Sequence, residues 1–349
     1  MRSGRLLLVA LLLSLVGGCS TLRYYAQAVS GHIDLMRRAS PIAEQVSAES
    51  TPPGLKAKLK TVLSLRDFAI RELGLPDNGS YRSYADLRRQ YAVWNVFAAP
   101  EFSLEPVTSC FVLAGCVGYR GYFAQTDAEA EAAALRERGY DVYVAGVPAY
   151  STLGWFDDPV LSTFIHYPEG ELARLLFHEL AHQLLYVKND SRFNESFATA
   201  VEEAGVERWL TRDGDADKRA VYTRVQDRRR GFLALIVKYR AALEQHYRMD
   251  LGDEEKRRGK AQLFARMNED YRQLKASWGG FAGYDRWFAA GPNNAMLASI
   301  GLYTDLVPAF RALLVSKDGD LARFYAAAKA LARLPQEERA ARLRSALGD

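Results

Sequence analysis

Apolar and polar positions follow three different rhythms along this chain. Leu6 to Val16 is an apolar stretch with Ser14 within it, behind the basic head Met1-Arg2-Ser3-Gly4-Arg5. Residues 22–48 and 54–74 then carry apolar positions at helical spacing, interrupted at Ser50-Thr51-Pro52-Pro53-Gly54. Between 90 and 160 the rhythm changes. Tyr91–Phe97, Thr108–Leu113, Gly118–Phe123 and Asp141–Ala145 are aromatic and β-branched runs bounded by turns, which predicts strands. The Ala- and Glu-rich stretch Asp127–Arg138 predicts a helix among them. Glu171 to Val187 contains neither Pro nor Gly, and Leu172, Leu175, Leu176, Phe177, Leu180, Leu184 and Leu185 make it a strongly apolar helix. Lys188-Asn189-Asp190-Ser191 reads as a break. A second helix runs from Arg192 to about Trp209, with Phe193, Phe197, Ala200, Val201 and Ala204 on its apolar face. From Ala216 onward the pattern is almost wholly helical, broken near Gly252, at 279–292 and near Gly319.

These elements predict an α+β, predominantly helical fold. A helical N-terminal part (22–75) precedes a β-rich part (90–160), a helix pair (168–210) and a helical C-terminal part (216–349). No stretch has linker composition, so residues 19–349 are expected to form a single domain. Composition agrees: 49% hydrophobic and 25% charged residues are enough for a sizeable core.

Residues 1–18 have the make-up of a secretory signal peptide, with a basic head, a short apolar core and small residues before a cleavage point. The apolar core is too short to span a bilayer as a helix. Val16-Gly17-Gly18-Cys19 resembles a bacterial lipobox, so cleavage would leave Cys19 as a lipidated first residue. A plain signal peptide with an incidental cysteine is the alternative. Two or three acyl chains anchor a protein stably, whereas one is marginal. The lipidated reading places the chain in the cell envelope facing the periplasm. By analogy Ser20, where aspartate would favour the inner membrane, favours the outer one. Loss of the two leader arginines takes the formal charge from +4 to about +2, which gives no support for nucleic-acid binding. Cys110 and Cys116 are the remaining cysteines, and an oxidising compartment favours a disulfide between them over two buried thiols.

The chemistry is concentrated in His178-Glu179-Leu180-Ala181-His182. Residues four apart share a helix face, so both imidazoles can address one metal ion while Glu179 reaches an adjacent water. Glu195 in Asn194-Glu195-Ser196-Phe197-Ala198 is the expected third ligand, in the first turn of the second helix and folded back over the histidines. Glu202, Glu203 and Glu207 compete for that role from further along. Three protein ligands leave zinc an open position, as catalysis requires. His32, His166 and His246 are isolated and expected to pack or to sit at the surface, although His166 lies close enough in sequence to reach the cleft.

H-E-x-x-H followed by N-E-x-F-A resembles the gluzincin metallopeptidases, including aminopeptidases with an N-E-G-F-A segment. Two departures stand out. Only twelve residues separate His182 from Glu195, and Thr199 stands where thermolysin-like members have Asp. The mature chain is more similar to a bacterial family of predicted aminopeptidases, often lipoproteins. That likeness rests on Cys110–Phe123, Ala145–Pro159, the HELAHQ and FNESFAT motifs and Asn293–Phe310. The resemblance implies a zincin-like fold, with a small mixed sheet packed on the metal helix and a helical part closing the cleft. It implies one Zn²⁺ held by His178, His182 and Glu195, with Glu179 as general base. It also implies an oxyanion donor from the later chain, for which Tyr303 and then Tyr222 are candidates. In zincins the edge strand before the metal helix pairs with extended substrate, a role that falls here to Asp141–Phe156. Asp157 and Asp158 are candidates to hold a substrate α-amine, and equally for a turn and helix cap before Pro159. The expected activity is peptide-bond hydrolysis by an envelope-anchored aminopeptidase acting on peptides. An envelope endopeptidase and a non-catalytic zinc-holding lipoprotein are the alternatives.

Overall fold

The computed structural model describes residues 22–111, 115–301 and 306–345. Cys19 and Tyr303 lie outside the described residues. Helix α1 (22–37) is followed by strand β1 (Ala39–Pro41) and helices α2 (Ile42–Ser47) and α3 (Pro53–Arg71). The continuous helix expected over 22–48 is therefore broken. Pro41 explains the break, because it cannot donate to a helix and it pushes the residue before it toward extended backbone. The freed segment pairs antiparallel with β2 (Ser83–Ala85), which in turn pairs parallel with β8 (Val160–Leu161).

A second sheet has the order β6 (Arg120–Tyr122), β3 (Val93–Ala99), β7 (Asp141–Val147), antiparallel throughout, with Asn95 opposite both Gly121 and Ala145. Alternation decides what each face meets. Val96 and Ala98 pack on Ala128 and Ala132 of helix α4 (Gln125–Glu137). Val93 and Asn95 face a cavity, while Phe97 and Ala99 meet Ala295 of α10 (Asn294–Gly301). A hairpin of β4 (Ser109–Phe111) and β5 (Gly115–Val117) pairs Cys110 directly with Cys116, and the two are disulfide-bonded.

Helices α5 (Glu169–Leu184) and α6 (Ser191–Asp213) form the centre. Leu172, Leu176, Phe177 and Leu180 of α5 and Phe193, Phe197 and Val201 of α6 are almost wholly shielded from solvent. They share one core with α3 and with the small mixed sheet β1-β2-β8. The larger sheet instead meets α5 across the cavity. Gly205 permits the close approach of α6, since a Cβ there would stand 2.7 Å from Phe177 and from Leu73. Phe310 of α11 (Val307–Val315) and Phe324 of α12 (Leu321–Ala332) close the outer side around Phe197, with centroids 5.8 and 5.7 Å away. Helices α7 (Ala216–Tyr247) and α8 (Asp253–Ser277) build a second cluster around Ile236, Leu243 and Met267. The short α9 (Asp285–Ala289) and the terminal α13 (Gln336–Ser345) complete the helical C-terminal part.

The α5–α6 turn is fixed by polar clamps. Asp190 caps α6 by accepting from the Phe193 N–H at 3.1 Å, and buried Arg339 of α13 pairs with the same carboxylate. Asn194 accepts from the Val187 N–H at 2.7 Å and donates to the Val187 carbonyl at 2.8 Å. The next residue is Glu195, so this amide sets where that carboxylate points. Replacing Asn194 with Ala strands the Val187 N–H, whereas the Val187 carbonyl still accepts from the Asp190 N–H at 3.2 Å, and an unsatisfied buried group costs about 1–3 kcal/mol. Denaturant unfolding of Asn194→Ala should show a midpoint shift of that size, and an unchanged midpoint would remove the clamp.

Candidate metal centre

His178 and His182 lie one turn apart on α5 and aim their Nε2 atoms at a common point, 3.1 Å from each other. Glu195 of α6 reaches the same point. Its Oε2 is 3.2 Å from His178 Nε2 and its Oε1 is 3.5 Å from His182 Nε2. Among the described residues this is the group of three that could hold a metal ion. Two donors at zinc–ligand distance from a shared tetrahedral ion lie roughly 3.3 Å apart. The observed separations bracket that value, and the two-imidazole, one-carboxylate set suits zinc. Glu195 occupies the second turn of α6 and not its first, since the helix begins at Ser191. The macrodipole therefore does not account for its position.

Glu202 is not a rival ligand. It lies seven residues after Glu195, two turns along the same face. From there its Oε2 accepts a hydrogen bond from His178 Nδ1 at 2.8 Å. A carboxylate only accepts, so Nδ1 carries a proton, which leaves Nε2 as the nitrogen that would ligate an ion. Glu202 is 0% exposed and is balanced by Arg174 at 3.2 Å and Arg229 at 3.4 Å. Burial opposes its ionisation, but Arg174 and His178 hold its pKa down to about 2. Burial likewise opposes ionisation of Glu195, and the two imidazoles hold its carboxyl well below the usual range. Burial disfavours a charged His178, yet Glu195 and Glu202 push it up to about 10. The Glu195 and His178 shifts express one fact: negative charge concentrates where the donors converge. Among the described residues His182 Nδ1 is buried without a hydrogen-bond partner.

The three donors and Glu179 line a cavity of about 520 Å³. The opposite wall is Val93, Asn95 and Gly121 of the larger sheet, together with Val147 and the loop through Leu153. Among the described residues β7 is an edge strand of that sheet, as the resemblance implies. Tyr119 and Tyr186 also face the cavity. Burial, and next the nearby charge of Glu195, raises both phenols above their ordinary pKa.

Other expected residues fall elsewhere. Asp158 is 1% exposed and serves the loop, accepting from the Thr152 N–H at 2.9 Å, Thr152 Oγ1 at 2.8 Å and Ser151 Oγ at 3.2 Å. Asp157 is exposed against Gly79, and neither aspartate lines the cavity. Tyr222 packs on Gly170, away from the cavity. His32 stacks near Phe156, His246 bonds the Lys256 carbonyl, and His166 is exposed.

A protein-family model described as "Putative aminopeptidase" matches residues 23–343. The chain belongs to this family. No curated protein and no solved structure matches it. Membership of the aminopeptidase family supports peptide hydrolysis, and the cavity beside the donors has room for a peptide segment.

Sequence reasoning missed the supporting roles of Glu202, Arg174 and Arg229. A signal existed for two of them: Arg174 stands one turn before His178, and Glu202 two turns after Glu195. Tyr119 and Tyr186 carried none, being two of 19 tyrosines.

Glu202→Gln keeps the shape but removes the charge that orients His178 and balances two arginines. Loss of such a partner typically lowers metal affinity about 10–100-fold, which competition with a chelator measures. Affinity equal to the parent's would sever Glu202 from the site. Asp158 gives a pH test. Burial, against the hydrogen bonds of Thr152 and Ser151, raises its pKa from 3.8 to about 6. The stability it contributes is thus full below its unfolded pKa and lost as pH rises through the folded one. Asn does not titrate, so the parent should lose up to about 3 kcal/mol relative to Asp158→Asn between roughly pH 4 and 7. Denaturant midpoints of both proteins at the two ends give the difference, and a constant difference would contradict the assignment.

Proposed function

We propose that this protein is a zinc-dependent aminopeptidase held in the bacterial envelope by a lipid on Cys19. The observation that carries the catalytic part is the convergence of His178, His182 and Glu195 beside Glu179 on an open cavity. When bound, the ion would supply Lewis acidity, polarising the peptide carbonyl and making water a better acid. Glu179, next to His178 on the cavity wall, takes the proton of the attacking water and returns it to the leaving amine. Tyr119 and Tyr186 bring phenol O–H groups to the wall near Glu195, where one can donate to the oxyanion of the tetrahedral intermediate. The edge of β7 offers backbone groups to an extended peptide. The lipid anchor rests on the leader and the Val16-Gly17-Gly18-Cys19 sequence.

A second reading, an endopeptidase with the same chemistry, is favoured by one observation. Glu179 and Glu195 are the only acidic residues among the described residues that line the cavity, and both have catalytic tasks. A dedicated carboxylate for the substrate α-ammonium is not among them. Peptides with free and acetylated N-termini separate the readings, because an aminopeptidase loses activity when the amine is blocked.

Glu179→Gln should retain metal yet lose turnover by about 10²–10⁴-fold, the usual contribution of a general base. Peptidase assays and metal analysis of the same sample check both halves. Chelation of the parent should abolish activity, and added Zn²⁺ should restore it. Full activity after metal has been removed to below the protein concentration would overturn the zinc reading.

A further inference from the structure

Helix α1 has two apolar faces, and the protein covers only one. At about 100° per residue, Tyr24, Ala28, Gly31 and Leu35 fall within an arc of roughly 60°. This arc faces inward: Leu35 is buried, Gly31 presses on Phe123, and Tyr24 and Ala28 form part of the wall of the metal cavity. Leu22, Tyr25, Val29 and Ile33 fall within an opposite arc of roughly 80°. They are exposed by 71, 36, 58 and 42%. The loop tip next to this helix adds Trp155 and Phe156, exposed by 70 and 54%, with the Phe156 ring 4.6 Å from His32. Six large apolar side chains in one region exceed what a free surface ordinarily shows.

We propose that this face lies on a lipid bilayer at the boundary between headgroups and acyl chains. The inference rests on the lipid-anchor reading of Cys19. Two residues, Ser20 and Thr21, separate Cys19 from Leu22, a span of at most about 11 Å. Acyl chains on Cys19 therefore bring the start of α1 to the membrane surface. The helix is too short, and carries too many charged and polar residues between its two apolar arcs, to cross a bilayer, and no described helix is a spanning candidate. A stripe of apolar residues with aromatics beside it is instead suited to lie in the interface. Charge agrees: of the three arginines in residues 22–38, Arg23 pairs with Asp127 and Arg38 with Asp34, and Arg37 stands beside Ile33 as a cation that anionic headgroups complement. Because the inner face of α1 is a wall of the cavity, docking also fixes the cavity beside the membrane, where peptide segments near the bilayer are the accessible substrates.

The test uses the full-length protein purified from bacterial membranes and reconstituted in phosphatidylethanolamine–phosphatidylglycerol vesicles carrying a nitroxide-labelled lipid. Cys110 and Cys116 are bonded to each other. A thiol-reactive fluorophore therefore reports on Val29→Cys, Trp155→Cys or the control Val315→Cys, the last exposed by 75% on α11. Vesicle flotation and labelling of the parent chain report on the anchor. Expected is a protein that floats, a parent that takes no label, and emission at 29 and 155 quenched at least about twofold more than at 315, as burial in the interface requires. Flotation with equal quenching at all three positions overturns the docking and leaves the anchor standing. A parent that takes label at Cys19 and does not float overturns the anchor, and the docking with it. Emission at position 29 that shifts to the blue with protein concentration in the absence of vesicles assigns the face to a second copy and overturns the membrane reading.

Discussion

Glu202 holds a full negative charge where no solvent reaches it, and the helical centre of the protein is arranged around that fact. An isolated charge in such a place would neutralise or unfold its surroundings. Glu202 instead meets Arg174 from α5, Arg229 from α7 and the Nδ1 proton of His178. Removing one member of a buried network of this kind generally costs about 3–5 kcal/mol, because the remaining charges are left uncompensated. Such a network is a weak source of net stability, yet it specifies geometry. α5 and α6 cannot slide or rotate without separating these groups, and the same pair of helices carries all three metal donors. The register that satisfies Glu202 is therefore the register that brings Glu195 to the histidines.

Around this pair the protein ties down the ends of the helices separately. Buried Arg66 of α3 donates to the carbonyls of Pro76, Asn78 and Ser80. Asn78 and Ser80 in turn bond Gln183, the residue after His182. The far end of α5 thus inherits its position from a loop organised by a guanidinium more than a hundred residues earlier. A catalytic constellation needs its side chains held to within a fraction of an ångström, and supports of this kind supply the constraint.

How much of this was legible beforehand follows from what each interaction depends on. Helical period and the absence of Pro and Gly revealed α5 and α6, and the i, i+4 histidines with Glu195 revealed the donors, because these are local relations. The strands Val93–Ala99 and Asp141–Val147 were found to within a few residues for the same reason. The break at Pro41 was missed even though proline marks it, because the apolar pattern on either side continues in phase. β1, β2 and β8 are two or three residues long and exist through pairing across the chain, so no window of sequence contains their cause. The place of Asp158 before the metal helix leaves a substrate anchor and a turn or helix cap equally open. Its actual partners, Ser151 and Thr152, became apparent only once the loop closed on itself. The roles of Arg229 and Tyr119 depend on helix–helix and sheet–helix approach, which the sequence does not encode locally.

The disulfide hairpin has a bearing on substrate entry. Phe111 and Val117 stand in the cavity wall on either side of the covalent link, and the Cys116 N–H is held by Asn189 in the α5–α6 turn at 2.8 Å. A surface loop that must become ordered around a ligand subtracts its lost conformational freedom from the affinity. Here that entropy is surrendered when the chain folds and oxidises. A ligand entering the cavity meets a preorganised wall and spends none of its own binding energy on arranging it.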